Sequence, residues 1–146
     1  MKIYLDNCSL QRPLDDKTQI RIALEAEATL SVLALCEAGG LELIASETLL
    51  FETRKNPNVS RKEHALEMLS QAKTFVHVNE EIENRAKEFT AMGIKPLDAL
   101  HLASAENAQA DYFCTCDDKF LKKAKSRTDL KTRVVSPIQL IEEVAP

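Results

Sequence analysis

The chain has 146 residues, 45% of them hydrophobic, which predicts a single domain, 1–146, with a sizeable core. Its 3 Gly and 5 Pro argue against a long linker or a disordered tail. The net charge of -4 excludes a general nucleic-acid coat protein, so any polyanion must be bound by a local basic patch or by metal ions. The chain has no signal peptide and no apolar run of about 20 residues, which predicts a cytoplasmic protein without a membrane partner.

Short apolar segments alternate with helical ones along the chain. Strands are predicted at 2–6, 41–45, 74–78, 111–116 and 132–135. A loop is predicted at 7–16, and helices at 18–38, 47–55, 60–72, 80–92, 97–109 and 118–126, with a last short helix from Pro137. Ser46 and Asn79 are expected helix caps, and Ser60 with Glu63 forms a predicted capping box.

The strands are short and almost entirely apolar, and two-residue hairpin turns do not separate them. This pattern predicts a three-layer α/β/α fold, in which helices cover both faces of a central parallel sheet of about five strands. Ligands of such folds bind beyond the carboxyl ends of the strands. Cys114 and Cys116 lie two apart in the fourth strand and are expected to be buried, reduced thiols.

Four acidic residues are placed to meet at the carboxyl edge of this sheet. Asp6 ends the first strand, Asp117 ends the fourth, Asp98 opens the helix before the fourth strand, and Glu52 lies in the helix after the second. Each acid taken singly is also explained as a turn residue, a cap or a partner of a helix dipole. Together they would repel one another unless a cation offset their charge. Oxygen ligands without paired His or Cys favour Mg²⁺ or Mn²⁺ over zinc.

His101 lies three residues after Asp98, so both share one face of the predicted helix. Two interpretations stay open for this histidine: contact with a substrate or phosphate, and simple packing between helices.

At these acidic residues the sequence resembles the PIN-domain family, which includes the VapC-type toxin ribonucleases. The matching segments are IYLDNCSL, ASETLLFE, PLDALHLASAENAQADYFCTCDDKFLKKAK and VVSPIQLIEE, and they cover essentially the whole chain in the family's order. The resemblance carries the four family acids over to Asp6, Glu52, Asp98 and Asp117. It implies a metal-dependent nuclease acting on RNA, an antitoxin protein as a possible partner, and a possible homodimer.

The first motif departs from the family pattern. Family members usually continue Asp-Thr-Asn or Asp-Thr-Ser, whereas this chain reads Asp6-Asn7-Cys8-Ser9. The resemblance therefore assigns the supporting role near the metal, or a contact with the substrate, to Asn7 or Ser9. Glu47 competes with Glu52 for the second acid, and Glu52 is preferred because the helix dipole alone explains Glu47.

A basic cluster follows Asp117 directly and contains the single acid Asp129; its members are Lys119, Lys122, Lys123, Lys125, Arg127, Lys131 and Arg133. Lys119, Lys122 and Lys123 are the expected contacts with an RNA backbone, with Arg12 as a further candidate near the cleft. A solvated helix face explains the same cluster equally well.

Two other functions of such folds require motifs that this chain lacks, and a third shares the fold without the activity. A haloacid dehalogenase-like phosphatase needs D-x-D after the first strand, but Cys8 stands two residues after Asp6. A phospho-receiver domain needs an Asp and a Lys where this chain has Asn79 and Ser136. A catalytically inactive binding module with the same fold remains an open alternative.

Overall fold

The structure is a computed structural model that describes residues 1–145. The centre of this described part is one sheet of five parallel strands in the order β3-β2-β1-β4-β5. The strands are β1 Lys2–Leu5, β2 Glu42–Ser46, β3 Thr74–Val76, β4 Tyr112–Cys114 and β5 Arg133–Val135. The predicted α/β fold with a central parallel sheet is confirmed.

Within residues 1–145, eight α-helices flank this sheet. They are α1 Asn7–Gln11, α2 Ile20–Glu37, α3 Glu47–Arg54, α4 Val59–Leu69, α5 Glu80–Ala91, α6 Pro96–Asn107, α7 Asp118–Lys125 and α8 Pro137–Val144. A short 3₁₀ turn, Arg12–Leu14, follows α1. Helix α2 packs against α8, and α5 packs against α6. Ser46 and Asn79 cap α3 and α5 through their side-chain oxygens, as predicted.

The loop predicted at 7–16 is wrong in its first half, which is helical. Asp6 caps α1, because its Oδ1 accepts the Ser9 backbone N–H at 3.0 Å. The predicted capping box at Ser60 is also wrong. Asn58 caps α4 instead, with its Oδ1 accepting the Arg61 N–H at 3.1 Å, and the helix begins at Val59.

The strand order creates a crevice beside β1. From β1 the chain continues to β2 and β3 on one side and then crosses to β4 and β5 on the other. The helices that follow β1 and β4 therefore diverge, and ligands of parallel α/β folds bind at such a switch point. Because Leu5 pairs with Cys114 in register, the residues after these two strands emerge side by side.

The core lies on both faces of β1 and β4. Tyr4, Leu5 and Phe113 are fully buried there, and the Phe113 ring packs on Phe120 of α7. Cys114 and Cys116 are buried free thiols, as expected. Among the helices of residues 1–145, none combines the length and apolar character required to cross a bilayer.

Candidate active site

A cleft of about 430 Å³ opens at the carboxyl edge of the sheet, at the switch point between β1 and β4. Its walls are built by residues that follow β1 and β4 and by side chains of α3 and α6. The lining residues are Asp6, Asn7, Cys8, Gln11, Arg12, Glu52, Asp98, His101, Cys116 and Asp117. All four acids picked out from the sequence therefore line one cleft.

Asp6 is the buried acid of this cleft, with 5% of its surface exposed. Its Oδ1 accepts the Ser9 N–H and the Cys8 thiol, each at 3.0 Å. Burial raises the pKa of Asp6, and hydrogen bonds from Thr115, Cys8 and Ser9 oppose that rise. The carboxyl is thus held in place by the first turn of α1.

Asp98 lies in the first turn of α6 and is half-buried. Desolvation raises its pKa to about 6, and the negative charges of Asp6, Asp117 and Glu52 add to the rise. Burial is thus the main cause of the raised pKa of Asp98, and the neighbouring acids add to it.

Asp117 caps α7, since its Oδ1 accepts the N–H groups of Lys119 and Phe120 at 2.9 and 3.2 Å. The Asp117 N–H in turn donates to Thr115 Oγ1 at 3.1 Å. The next acid, Asp118, is exposed and forms an ion pair with Arg21. Asp118 is thus a helix-start residue outside the cleft wall.

Glu52 reaches the cleft from α3, and its Oε1 lies 3.3 Å from His101 Nε2. Glu47, its competitor in the sequence, is mostly exposed and accepts the Val78 N–H at 3.2 Å. Glu47 lines a different, apolar depression with Thr48 and Phe51. The geometry favours Glu52 as the acid of α3 that belongs to this cleft.

His101 is 1% exposed, and Tyr4 OH lies 2.6 Å from its Nδ1. The sequence placed His101 beside Asp98 but left its role open, and it indicated nothing about Tyr4 beyond a strand position. A polar hydroxyl in the middle of an apolar strand was the available signal, because a buried tyrosine hydroxyl needs a partner.

The expected substrate contacts separate into two groups. Asn7 and Arg12 line the cleft, although Arg12 also forms ion pairs with Asp15 and Glu25. Ser9 does not line it: its side chain is fully buried and its Oγ donates to the Cys114 carbonyl at 3.1 Å. A substrate contact by the Ser9 side chain is therefore contradicted, while its backbone supports Asp6.

The basic cluster is also divided by the structure. Lys119 and Lys123 line a small depression beside Asp98 and Asp117, and Lys123 Nζ donates to the Gly93 carbonyl at 2.7 Å. Lys122 lines neither this depression nor the cleft. The remaining members surround another surface depression, where Lys125, Arg127, Lys131 and Arg133 lie.

The donor set of the cleft fits a hard divalent cation. Acids from four elements line it, and Asn7, which also lines it, has a buried Oδ1 without a hydrogen-bond partner in residues 1–145. Within that same described range, no three His, Cys, Asp or Glu side chains already form a ready metal site. The acids are gathered in one cleft but are not drawn together around one point.

The sheet order and the acidic cleft at the switch point define the class: a parallel α/β protein with a carboxylate site. A family model described as PIN domain matches residues 3–126, and the chain belongs to the PIN domain family. The resemblance seen in the sequence is thereby confirmed.

Several solved structures share the fold. FitAcB from Neisseria gonorrhoeae is 16% identical with a TM-score of 0.59, and the match covers 92% of this chain and 97% of that one. VapBC-1 from nontypeable Haemophilus influenzae is 13% identical with a TM-score of 0.60, covering 94% and 98%. VapC20 from Mycobacterium tuberculosis, described as a Sarcin-Ricin loop cleaving toxin, is 18% identical with a TM-score of 0.56, covering 87% and 97%. A comparison with curated proteins found no match.

Proposed function

We propose that this protein is a metal-dependent endoribonuclease that hydrolyses RNA phosphodiesters. The observation that carries the proposal is the convergence of Asp6, Glu52, Asp98 and Asp117 from four separate elements on one cleft. Asp6, Asp98 and Asp117 would hold Mg²⁺ or Mn²⁺, and Glu52 would complete or orient the shell. The raised pKa of Asp98 supports this assignment, because a nearby cation would relieve the charge repulsion that contributes to it.

A divalent ion in such a site lowers the pKa of a bound water and offsets charge on a phosphate. The chain itself supplies fixed carboxylates. Asp6 is oriented by the first turn of α1 and Asp117 by the first turn of α7, so neither acid must be ordered when a ligand arrives. Asn7 offers an unpartnered buried oxygen, and Lys119 and Lys123 provide positive charge beside Asp98 for the RNA backbone.

A toxin role is the finer part of the proposal. The PIN-domain membership and the fold likeness to VapC20, which is described as a toxin, support it. The partner would then be a small antitoxin protein that blocks the cleft, and a homodimer and a cytoplasmic location remain predictions. Co-purification of the protein with the product of an adjacent gene, followed by loss of cleavage in the complex, would test the antitoxin.

The nuclease proposal is tested with single-stranded RNA, the full chain, and Mn²⁺, Mg²⁺ or EDTA. We expect cleavage with either ion and none with EDTA. Asp6→Asn should abolish cleavage without loss of folding, because an amide oxygen can still accept the Ser9 N–H and cap α1. Asp118→Asn is the matched control, since Asp118 pairs with Arg21 away from the cleft, and it should cleave normally.

Cleavage that persists in EDTA or in Asp6→Asn would refute the assignment of these acids. A protein that cuts no RNA and gains no thermal stability from Mn²⁺ would favour the inactive binding module, since an ion bound only by the folded state must stabilise it.

A further inference from the structure

A continuous hydrogen-bond network of buried polar groups lies behind Glu52. Ser46 Oγ is 2.7 Å from Tyr4 OH, Tyr4 OH is 2.6 Å from His101 Nδ1, and His101 Nε2 is 3.3 Å from Glu52 Oε1. Ser46, Tyr4 and His101 are each at most 1% exposed, whereas Glu52 reaches the cleft. This hydrogen-bond network therefore connects the interior of the sheet with one proposed site acid.

The direction of every hydrogen bond follows from the available protons. Ser46 Oγ already accepts the Leu49 N–H at 3.0 Å, so its own proton is free to donate to Tyr4. Tyr4 then donates its single proton to His101 Nδ1, which must be unprotonated. The proton of the neutral ring consequently sits on Nε2 and donates to Glu52.

The reversed direction leaves a group unsatisfied. If His101 Nδ1 donated to Tyr4, Tyr4 would donate to Ser46. Ser46 Oγ would then accept from both Tyr4 and the Leu49 N–H, and its own proton would have no partner within this network. A buried hydroxyl proton without a partner is costly. The arrangement thus favours one tautomer of His101, with the proton on Nε2.

Packing fixes the two rings in the middle of this hydrogen-bond network. The Tyr4 ring stacks on Phe113 with centroids 5.1 Å apart and meets the His101 ring edge-on at 5.7 Å. Burial also raises the pKa of Tyr4 well above its usual range, which keeps its hydroxyl protonated as a donor.

We infer that His101 is a positioning residue: Ser46 and Tyr4 fix it as the Nε2–H tautomer, and it holds the Glu52 carboxylate at the cleft. The inference rests on the proposed function, because it assigns the role of Glu52 in that same site. Outer partners of this kind fix the orientation of site carboxylates and histidines in metal enzymes.

The tautomer is measured directly by ¹⁵N NMR of the imidazole rings, with the His101 signals assigned by their loss in His101→Asn. We expect an Nε2–H ring with an unprotonated Nδ1 in the wild-type protein, and loss of this fixed tautomer in Tyr4→Phe. Tyr112→Phe is the matched control, because Tyr112 lies on β4 and is not part of the hydrogen-bond network. It should leave the His101 signals unchanged. A proton on Nδ1 in the folded wild-type protein would overturn the inference.

The effect on catalysis is measured as a double-mutant cycle. Tyr4→Phe should lower kcat on the order of tenfold with little change in KM, while Tyr112→Phe should not. Glu52→Asp keeps the charge but withdraws the carboxylate from His101 by one methylene. In that background Tyr4→Phe should have no further effect, because the contact it supports is already broken. Equal losses in both backgrounds would indicate a merely structural role and overturn the inference.

The two proposals fail in different ways. If the wild-type protein shows no metal-dependent cleavage, the proposed function fails, and the NMR measurement still decides whether His101 is held as the inferred tautomer. If cleavage is present but Tyr4→Phe leaves kcat unchanged, the positioning role alone is refuted.

Discussion

The substitution Asp98→Asn should stabilise the metal-free protein at neutral pH. In the wild-type protein the pKa of Asp98 rises from 3.8 to about 6, so the folded state binds a proton at this carboxyl more tightly than the unfolded chain does. Between about pH 4 and pH 6 the folded state therefore holds more protons, and stability falls as the pH rises through this window. Above about pH 6, the ionised Asp98 destabilises the fold by the full free energy that corresponds to the pKa shift.

The magnitude follows from the size of the shift and from the exposure of Asp98. A shift of about 2 units corresponds to about 3 kcal/mol, but solvent screening of a half-buried carboxyl reduces this to about 1.5 kcal/mol. The loss of a favourable charge at the start of α6 removes about 0.5 kcal/mol of that gain. The net stabilisation is about 1 kcal/mol, or about 3 °C in Tm for a chain of this size.

Thermal unfolding of both proteins from pH 3.5 to 8, with and without Mn²⁺, tests this reasoning. Without metal, Asp98→Asn should melt higher at pH 7.5 and approach the wild type at pH 3.5, where Asp98 is protonated in the folded state and mostly protonated in the unfolded chain. Saturating Mn²⁺ should raise the wild-type Tm and reverse the order, because the variant lacks one ligand. Asp118→Asn is the control: ion pairing with Arg21 lowers the pKa of Asp118, so its removal should destabilise slightly and leave the Mn²⁺ response intact.

If Asp98→Asn melts lower than the wild type at pH 7.5 without metal, ionised Asp98 does not destabilise the fold as its raised pKa requires. The metal assignment of Asp98 fails if the variant keeps the full Mn²⁺ response.

Three further predictions concern other parts of the site. Lys119→Ala with Lys123→Ala should weaken RNA binding and reduce the slope of log K against log[salt] by about 1.4, as expected for two phosphate contacts to a single strand; an unchanged slope assigns that face to solvent or a partner. Glu52→Gln should reduce cleavage by at least tenfold, whereas Glu47→Gln, outside the cleft, should keep wild-type kinetics; equal losses would reject the choice of Glu52. Ser46→Ala should lower the free energy of unfolding by about 1–2 kcal/mol in denaturant titration, because α3 loses its cap; no change would contradict the capping role.

The sheet and most helix starts could be predicted because their signals are local. Ser46 and Asn79 each precede a helix and supply a side-chain oxygen to its first turn, which a short window of sequence reveals. The start of α4 was wrong because Asn58 and Ser60 are both good caps, and the choice between them depends on where the chain leaves α3. The helix after β1 was missed because a segment of five residues has too little periodicity to detect.

The basic cluster shows a second limit of sequence reasoning. Consecutive lysines look like one patch along the chain, yet Lys119 and Lys123 lie one helical turn apart beside the cleft, while Lys125 bonds to Gln139 of α8. Which face of α7 meets the rest of the protein depends on Phe120 and Ala124 being buried. That orientation is a property of packing.

The amino-acid sequence by itself determined where the acids stand relative to strand and helix ends, because parallel strands place their carboxyl ends at a common edge. Hence Asp6, Asp98 and Asp117 could be assigned to one cleft from their positions alone. The tertiary structure alone decided which buried groups lie behind Glu52. Ser46 and His101 lie 42 and 97 residues after Tyr4 in the sequence, and no periodicity relates positions so far apart. Their hydrogen bonds exist because β1, β2 and α6 pack together and exclude water, so that each buried polar group must find its partner in the protein.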